Sequence, residues 1–189
     1  MTAPAYGFKR VLEALHQLNI PYMVGGSLAS SIHGIPRSTR DVDIIANIEV
    51  EHVAPLCAEL SREFYADPEM IQEALRRGRS FNLIHHASSF KFDIFPLSPE
   101  PYSQLEFERR TTAEHNFEGE AFTFYVSSPE DTILTKLVWY RAGNEVSENQ
   151  WSDVLDVIRV KRDLLDLNYL RTWAAKLRVA DLLEEALRQ

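Results

Sequence analysis

The hydrophobic pattern of the chain changes character at Ser127. Before it, short β-branched and aromatic runs of strand length alternate with stretches of helical periodicity. After it, Ser128-Pro129-Glu130-Asp131 is typical of a helix start, and helical periodicity persists almost to the last residue. Strands mixed with helices, then helices alone, predict an α+β fold: a mixed β-sheet flanked by helices and followed by a C-terminal helical bundle.

This change divides the chain into an α/β core at 1–126 and a helical region at 127–189, which we expect to pack on that core without a flexible linker. Strands are expected at 20–24, 42–48, 81–85, 90–95, 109–117 and 122–126. Helices are expected at 5–18, 27–32, 51–64, 68–77, 129–142, 147–161, 167–177 and 179–188. The last two strands would form a hairpin turned at Glu118-Gly119.

Composition limits the functions that the chain can have. The net charge of -8 argues against broad attraction to nucleic acid, which needs clustered Lys and Arg. No apolar run is long enough for a transmembrane helix, and the N-terminus lacks the pattern of a secretory signal. The single Cys57 excludes an internal disulfide and is compatible with a reducing compartment. We therefore expect a cytoplasmic protein with no membrane partner.

The stretch MVGGSLASSIHGIPRSTRDVDI, residues 23–44, sets two carboxylates at the start of a predicted strand. Side chains two apart on a strand share a face, so Asp41 and Asp43 point the same way. Such a pair suits Mg²⁺, which binds a few carboxylates and completes its coordination with water and phosphate oxygens. The alternative is an acid pair neutralised by Arg37 or Arg40.

A third acid lies in the segment FKFDIFP. Phe92 and Ile94 share one face of that strand, which leaves Asp93 on the other face with Lys91 and Phe95. If this strand neighbours the strand of Asp41, three carboxylates converge. Such a cluster can hold two ions about 3.5–4 Å apart.

The Gly25-Gly26-Ser27 turn offers the complementary half of a site, one for phosphate. Glycine lets backbone amides approach a ligand closely, and the N-terminus of the following helix favours anions. The Ser27 hydroxyl is a further donor to a phosphate oxygen. The alternative is that the glycines serve only a tight strand-to-helix turn.

Together, the segments GGSLASSIHGIPRSTRDVDI, FKFDIFP and SSPEDTILTKL resemble the nucleotidyltransferase superfamily, which has a DNA-polymerase-β-like fold. The chain looks most similar to the bacterial branch around the AbiEii-type toxins and related nucleotidyltransferase-like proteins. The family's Gly-Ser turn, Asp-x-Asp pair and third strand aspartate correspond to Gly26, Ser27, Asp41, Asp43 and Asp93.

The resemblance also implies site residues from the helical region, where AbiEii-like members contribute a Lys and an Asp. The matching residues are Lys136 and Asp153, with Asp156 as the alternative to Asp153. From the residues alone, Lys136 could instead extend to solvent from an amphipathic helix. Either aspartate could instead pair along its own helix with Arg159 or Lys161.

The segment HGIPRSTR makes the gap between Ser27 and Asp41 longer than in compact members of the superfamily. Two arginines lie in this segment, Arg37 and Arg40. They could help to bind a triphosphate or could brace the acidic strand.

The resemblance implies Mg²⁺-dependent transfer of a nucleoside monophosphate from an NTP to an acceptor hydroxyl. Asp41 and Asp43 would hold two ions, Asp93 would hold the catalytic ion and help to deprotonate the acceptor, and Lys136 would offset developing charge. The expected nucleotide-binding residues are Gly25, Gly26, Ser27, Arg37, Arg40 and Asp153.

Other functions stay open at this point. The same fold could serve as a non-catalytic binding module or antitoxin-like partner in a toxin–antitoxin pair, or as a metal-dependent phosphohydrolase. The acceptor could be a tRNA end, a protein side chain or a small molecule. We also expect the three tryptophans, Trp139, Trp151 and Trp173, to lie in the core because they follow helical periodicity.

Overall fold

The computed structural model describes residues 2–39, 41–117 and 120–189. The chain divides into two compact units. The sheet unit comprises Met1–Val24 and Thr39–Val126, and the helical unit comprises Gly25–Ser38 and Ser127–Gln189. The helical unit therefore contains a segment, Gly25–Ser38, that the sequence places in the α/β half. The predicted hairpin turn at 118–119 lies outside the described residues.

The seven described strands form one mixed sheet in the sheet unit, in the order β3-β4-β5-β2-β1-β7-β6. Their bounds are Tyr22–Val24 (β1), Asp41–Ala46 (β2), Phe64–Tyr65 (β3), Phe81–His85 (β4), Lys91–Pro96 (β5), Thr111–Phe117 (β6) and Glu120–Val126 (β7). Two of the pairings, β2 with β5 and β1 with β7, are parallel, and the others are antiparallel.

The sheet unit also contains four helices: α1 (Ala3–Gln17), α3 (Val50–Leu60), α4 (Pro68–Arg76) and α5 (Pro101–Glu108). The helical unit contains α2 (Gly26–His33), α6 (Pro129–Ala142), α7 (Glu148–Lys161), α8 (Leu167–Lys176) and α9 (Ala180–Leu187), with one turn of 3-10 helix at Arg162–Leu164. This arrangement confirms the α+β fold expected from the sequence.

The alternation of side chains along β2 and β5 gives the sheet a buried face and a half-exposed face. Val42 and Ile44 of β2 are buried, as are Phe92 and Ile94 of β5. The residues between them are only partly covered. Because the period of a strand is two, burying the apolar set forces the charged set onto the opposite face.

Helix α1 buries one apolar stripe, as the spacing of its residues predicts. Phe8, Val11, Leu12 and Leu15 are almost fully buried. The ring of Phe8 meets that of Phe124 on β7 edge to face, with 5.2 Å between ring centroids. This is a favourable aromatic geometry.

Helix α6 of the helical unit is buried on several sides, so its polar groups need partners. Its apolar residues Ile133, Leu134 and Leu137 are fully buried. Asp131 is also fully buried; it accepts hydrogen bonds from the Ser128 hydroxyl at 2.6 Å and from the Tyr169 hydroxyl of α8 at 2.5 Å. The Ser128 hydroxyl also accepts a hydrogen bond from the Asp131 amide and so caps the start of α6, as the Ser128-Pro129-Glu130-Asp131 sequence predicts.

Several elements differ from the sequence prediction. Helix α5 was not predicted, because its sequence follows a proline-rich run and buries only Phe107 deeply. Strand β3 has only two residues and gives no periodic signal. Strand β1 begins at Tyr22 rather than residue 20, since Pro21 has no amide hydrogen to donate to a ladder. The prediction that Trp139 lies in the core is wrong, because 59% of this residue is exposed.

The end of α2 packs tightly against α7 within the helical unit. A Cβ added at Gly34 would lie 2.9 Å from the backbone nitrogen of Val157 and 3.0 Å from the carbonyl carbon of Asp156. Backbone atoms cannot move aside as the end of a flexible side chain can. Glycine is therefore required at this position for steric reasons.

Replacing Gly34 by alanine should thus destabilise the protein by roughly 1–3 kcal/mol, the usual cost of overpacking. For a chain of this length, each kcal/mol lowers the melting temperature by about 2–4 °C. The measurement is a thermal melt of Gly34→Ala beside Asn149→Ala, a control on the exposed face of α7. Equal melting temperatures for the Gly34 variant and wild type would show that the contact is not as tight as described.

Candidate active site

Three carboxylates lie on the half-exposed face of the sheet. In the parallel pairing of β2 with β5, Asp43 stands level with Asp93 and Asp41 stands level with Lys91. All four residues occupy alternate positions from the buried set, so they share one face. The structure therefore places Asp93 beside the Asp41–Asp43 pair on the same side of the sheet.

The side chains of this face make specific polar contacts. The Asp93 carboxylate accepts a hydrogen bond from Asn82 Nδ2 of β4 and forms an ion pair with Lys91 Nζ at 2.8 Å. The Thr39 hydroxyl donates to Asp41 Oδ1 at 3.1 Å and to the Asp41 carbonyl at 3.0 Å. The Asp93 carboxylate is thus held by residues of its own strand and of β4.

The expected pairing of the two acidic strands is present, while convergence of the three carboxylates on a metal ion stays a prediction. Among the described residues, no three His, Cys, Asp or Glu side chains are arranged to hold a metal ion. The Asp93 carboxylate contacts Asn82 through one oxygen and Lys91 through the other. The donor chemistry nevertheless fits Mg²⁺, since three acids on one sheet face supply the oxygen ligands that this ion prefers.

The Gly25-Gly26-Ser27 turn leads from β1 into α2. Gly26 is the first helical residue and has φ of 56°, a left-handed conformation that favours glycine. Gly25 is the extended N-cap residue and supplies no side-chain cap. Backbone N–H groups at such a helix start lack helical partners and favour anions.

Ser27 belongs to a polar cluster inside the helical unit, formed with Arg37, Lys136 and Asp153. Arg37 donates from Nε to Asp153 Oδ1 at 2.7 Å and from Nη2 to Asp153 Oδ2 at 2.9 Å, a bidentate pair. Lys136 Nζ lies 2.8 Å from the same Oδ2. Arg37 Nη2 also donates to Ser27 Oγ at 2.6 Å, and Lys136 Nζ lies 3.5 Å from that oxygen.

Burial makes this cluster electrostatically strong. The Asp153 and Lys136 side chains are 4% and 6% exposed, and Arg37 is 32% exposed. Burial by itself raises the pKa of Asp153, but the hydrogen bonds from Arg37 and Lys136 outweigh it and hold that pKa below its usual value. Two cations against one carboxylate leave the cluster with one excess positive charge beside the Ser27 hydroxyl.

The structure distinguishes between several sequence-based alternatives. Lys136 does not extend to solvent, because it is buried against Asp153. Asp153 rather than Asp156 joins the cluster, while Asp156 faces Arg159 at 3.8 Å. Arg37 pairs with Asp153, which neither expected role for it had included. Arg40 lies outside the described residues.

Residues 10–189 match the protein family described as "Nucleotidyl transferase AbiEii toxin, Type IV TA system". The chain belongs to this family. The AbiEii match covers nearly the whole chain and includes both groups of polar residues described above. The resemblance drawn from the sequence motifs is confirmed. No curated protein matches the chain at a significant level.

Two solved structures are similar in fold to this AbiEii-family chain. An antigenic nucleotidyltransferase-like protein from Paracoccidioides brasiliensis is 18% identical with a TM-score of 0.54, covering 96% of this chain and 91% of that one. The antibiotic-resistance factor ANT(2'')-Ia, in complex with adenylyl-2''-tobramycin, is 16% identical with a TM-score of 0.55, covering 94% and 98%. At these identities the likeness supports the fold, and family membership supports the nucleotidyltransferase class.

No described helix of this AbiEii-family chain has the length and apolar content needed to span a bilayer.

Sequence reasoning missed two polar neighbours of the carboxylates, Thr39 and Asn82. It placed Lys91 on the face of Asp93 from the strand period but gave it no role in the site. Asn82 could not be found in this way, because its proximity depends on the register of β4 with β5. The pairing of Arg37 with Asp153 spans 116 residues and has no local signal.

The polar cluster of Ser27, Arg37, Lys136 and Asp153 should contribute stability that depends on pH. Replacing Asp153 by asparagine leaves Lys136 and Arg37 without their carboxylate and should cost roughly 3 kcal/mol at pH 7, as expected when one partner of a buried pair is removed. The pKa of Asp153 is lower in the folded protein than in the unfolded chain. The stability that Asp153 contributes is therefore fully present above its unfolded pKa and is lost as the pH falls through its folded pKa.

Urea unfolding of wild type and Asp153→Asn from pH 7 to pH 2.5 measures this difference. The gap between the two proteins should be constant above about pH 5 and shrink below about pH 4. Asp156→Asn, at the more exposed aspartate of the same helix, is the matched control. A gap that does not change with pH would contradict the depressed pKa.

Proposed function

We propose that this AbiEii-family nucleotidyltransferase transfers a nucleoside monophosphate from an NTP to an acceptor hydroxyl and that it uses Mg²⁺. The observation that carries the proposal is the parallel register of β2 with β5, with Asp43 level with Asp93 and Asp41 on the same sheet face. The acceptor oxygen attacks the α-phosphorus, the bond from that phosphorus to the bridging oxygen breaks, and pyrophosphate leaves.

Asp41 and Asp43 are the residues that would hold the metal ions, with Asp93 as a further ligand. Bound Mg²⁺ would supply charge neutralisation of the triphosphate and would lower the pKa of the attacking hydroxyl. The Asp93 carboxylate receives the hydroxyl proton as the new bond forms. General-base help of this kind typically contributes 10²–10⁴-fold to the rate.

The polar cluster of Ser27, Arg37, Lys136 and Asp153 would bind the β- and γ-phosphates of the NTP. The excess positive charge of Arg37 and Lys136 over Asp153 suits an anion, and the Ser27 hydroxyl is held within the same cluster. Lys136 would offset the negative charge that develops on the departing pyrophosphate. Asp153 acts through its partners, because its hydrogen bonds fix the directions of both cations.

A hydroxyl acceptor is proposed because ANT(2'')-Ia was crystallised with adenylyl-2''-tobramycin, an adenylylated product. The family is named for toxins of type IV toxin–antitoxin systems, so we infer that an antitoxin accompanies this protein. Nucleoside triphosphates are abundant in the cytoplasm, and we infer that the protein works there. The acceptor class, whether tRNA end, protein or small molecule, is identified by the experiment below.

Incubating the protein with Mg²⁺, a cell extract and either α- or γ-labelled NTPs tests the reaction. The α label should enter an acceptor while the γ label leaves as pyrophosphate. Asp43→Asn should lower transfer by at least about 100-fold, because it removes a proposed metal ligand. Asp163→Asn, an exposed aspartate elsewhere, is the control. Release of labelled inorganic phosphate would indicate a phosphohydrolase instead.

Thermal melts with and without Mg²⁺-NTP separate an enzyme from a binding module. Wild type should gain stability on addition of the nucleotide by mass action, and Asp43→Asn should gain much less. If Mg²⁺-NTP stabilises the wild type but no nucleotide is transferred in any extract, a non-catalytic binding module is favoured. Equal gains in both proteins would show that Asp43 does not hold the ion.

Replacing Ser27 by alanine should raise the KM for NTP about 5- to 10-fold, the equivalent of one hydrogen bond of about 1 kcal/mol. Its effect on kcat should be smaller, because the β- and γ-phosphate contact exists before the transition state. Steady-state kinetics of Ser27→Ala, with Ser152→Ala on the exposed face of α7 as control, give both constants. An unchanged KM would remove Ser27 from the phosphate site.

A further inference from the structure

The acidic face of the sheet contains a cation of its own. On β2 and β5 the charged positions form a square in which Asp41 is opposite Lys91 and Asp43 is opposite Asp93. Three corners are carboxylates and the fourth is an ammonium. Asn82 of β4 is level with Asp93 and donates to it from the other side.

Lys91 interacts with more than one of these acids. Its ammonium lies 2.8 Å from Asp93 Oδ2, and the side chains are 43% and 14% exposed, respectively. In the register of β2 with β5, Lys91 also stands level with Asp41 and next to the Asp43–Asp93 pair. The ammonium therefore lies in the attractive field of all three carboxylates.

We propose that Lys91 is a tethered counter-cation of these carboxylates, which offsets part of their negative charge before a divalent ion binds and releases Asp93 when that ion binds. This inference rests on the proposed function, because it takes Mg²⁺ to bind at Asp41, Asp43 and Asp93. It assigns Lys91 a role that opposes metal binding rather than assisting it. Lys91 is a residue that sets metal affinity, not a catalytic residue.

The contact itself shows why the two cations compete. Lys91 contacts Asp93 Oδ2 and Asn82 contacts Oδ1, so a divalent ion bound at Oδ2 would lie close to the ammonium and be repelled by it. Lys91 can give way readily, since it has a flexible four-carbon stem and is 43% exposed. Its ammonium would then be hydrated and would not be left buried without a partner.

Without Lys91, Asp93 would lose its ion pair, and its repulsion with the neighbouring Asp43 would be less well offset. Removing it should thus weaken the metal-free protein and strengthen metal binding at the same time. A lysine with only a structural role would give the first effect without the second. The combination of both effects therefore identifies the counter-cation.

The experiment uses the full chain, freed of metal, as wild type, Lys91→Met and Lys91→Arg. Calorimetric titration with Mg²⁺ alone gives the Kd, and a thermal melt without metal gives the stability. Lys91→Met should bind Mg²⁺ about three- to fivefold more tightly, the scale of a partly exposed ion pair. Its metal-free melting temperature should fall by about 2–4 °C. Lys91→Arg keeps the charge and should resemble wild type in both measurements.

Arg171→Met is the matched control, since it removes one positive charge and a surface ion pair with Glu184 at 2.7 Å. It should leave the Kd for Mg²⁺ unchanged. If it tightens binding as much as Lys91→Met does, net charge is the cause and the proposal is overturned. Should Lys91→Met fail to fold, Lys91→Gln takes its place.

Two negative results have different meanings. If wild type binds Mg²⁺ and Lys91→Met binds it equally or more weakly, the counter-cation is overturned while the proposed metal site stands. If neither protein binds Mg²⁺, the proposed metal site fails, and the role of Lys91 fails with it.

Discussion

The parallel pairing of β2 with β5 is the constraint on which the sheet unit depends. Its register covers six residue pairs, from Asp41 with Lys91 to Ala46 with Pro96. A slip of one residue would turn Phe92 and Ile94 away from the buried face and would carry Asp93 to the apolar side. Burial of the apolar residues therefore fixes the position of the charged ones. The core and the candidate metal ligands are specified by the same hydrogen-bonded ladder.

The helical unit depends on a different interaction, the buried carboxylate of Asp153. A charge at this depth is tolerated only because Arg37 binds it with two hydrogen bonds and Lys136 with a third. A hydrophobic cluster of the same volume could stabilise the fold equally well. Retaining charges at such a cost is consistent with a functional role for them, and the adjoining Ser27 hydroxyl agrees with phosphate recognition.

Much of this architecture could be predicted from the sequence, and the failures have physical reasons. The limits of α6 were predicted correctly from the Ser128 cap and the following proline, because these signals are local. The sharing of a face by Asp41, Asp43 and Asp93 follows from a period of two. The same period puts Lys91 beside Asp93, whereas the contact of Asp93 with Asn82 depends on cross-strand register, which no linear pattern indicates. Helix α5 had neither a periodic stripe nor a clear cap.

The chain enters the helical unit twice, first at Gly25–Ser38 and again from Ser127 onward. During synthesis, Arg37 therefore leaves the ribosome 116 residues before the aspartate that it binds. At about 5–20 residues per second, this interval lasts roughly 6–23 s. The helical unit cannot be completed cotranslationally until α7 emerges, and no cut at a single position can separate it from the rest of the chain. A gene fragment that ends at residue 126 would encode the Gly25-Gly26-Ser27 turn, the proposed phosphate site, without Lys136 and Asp153.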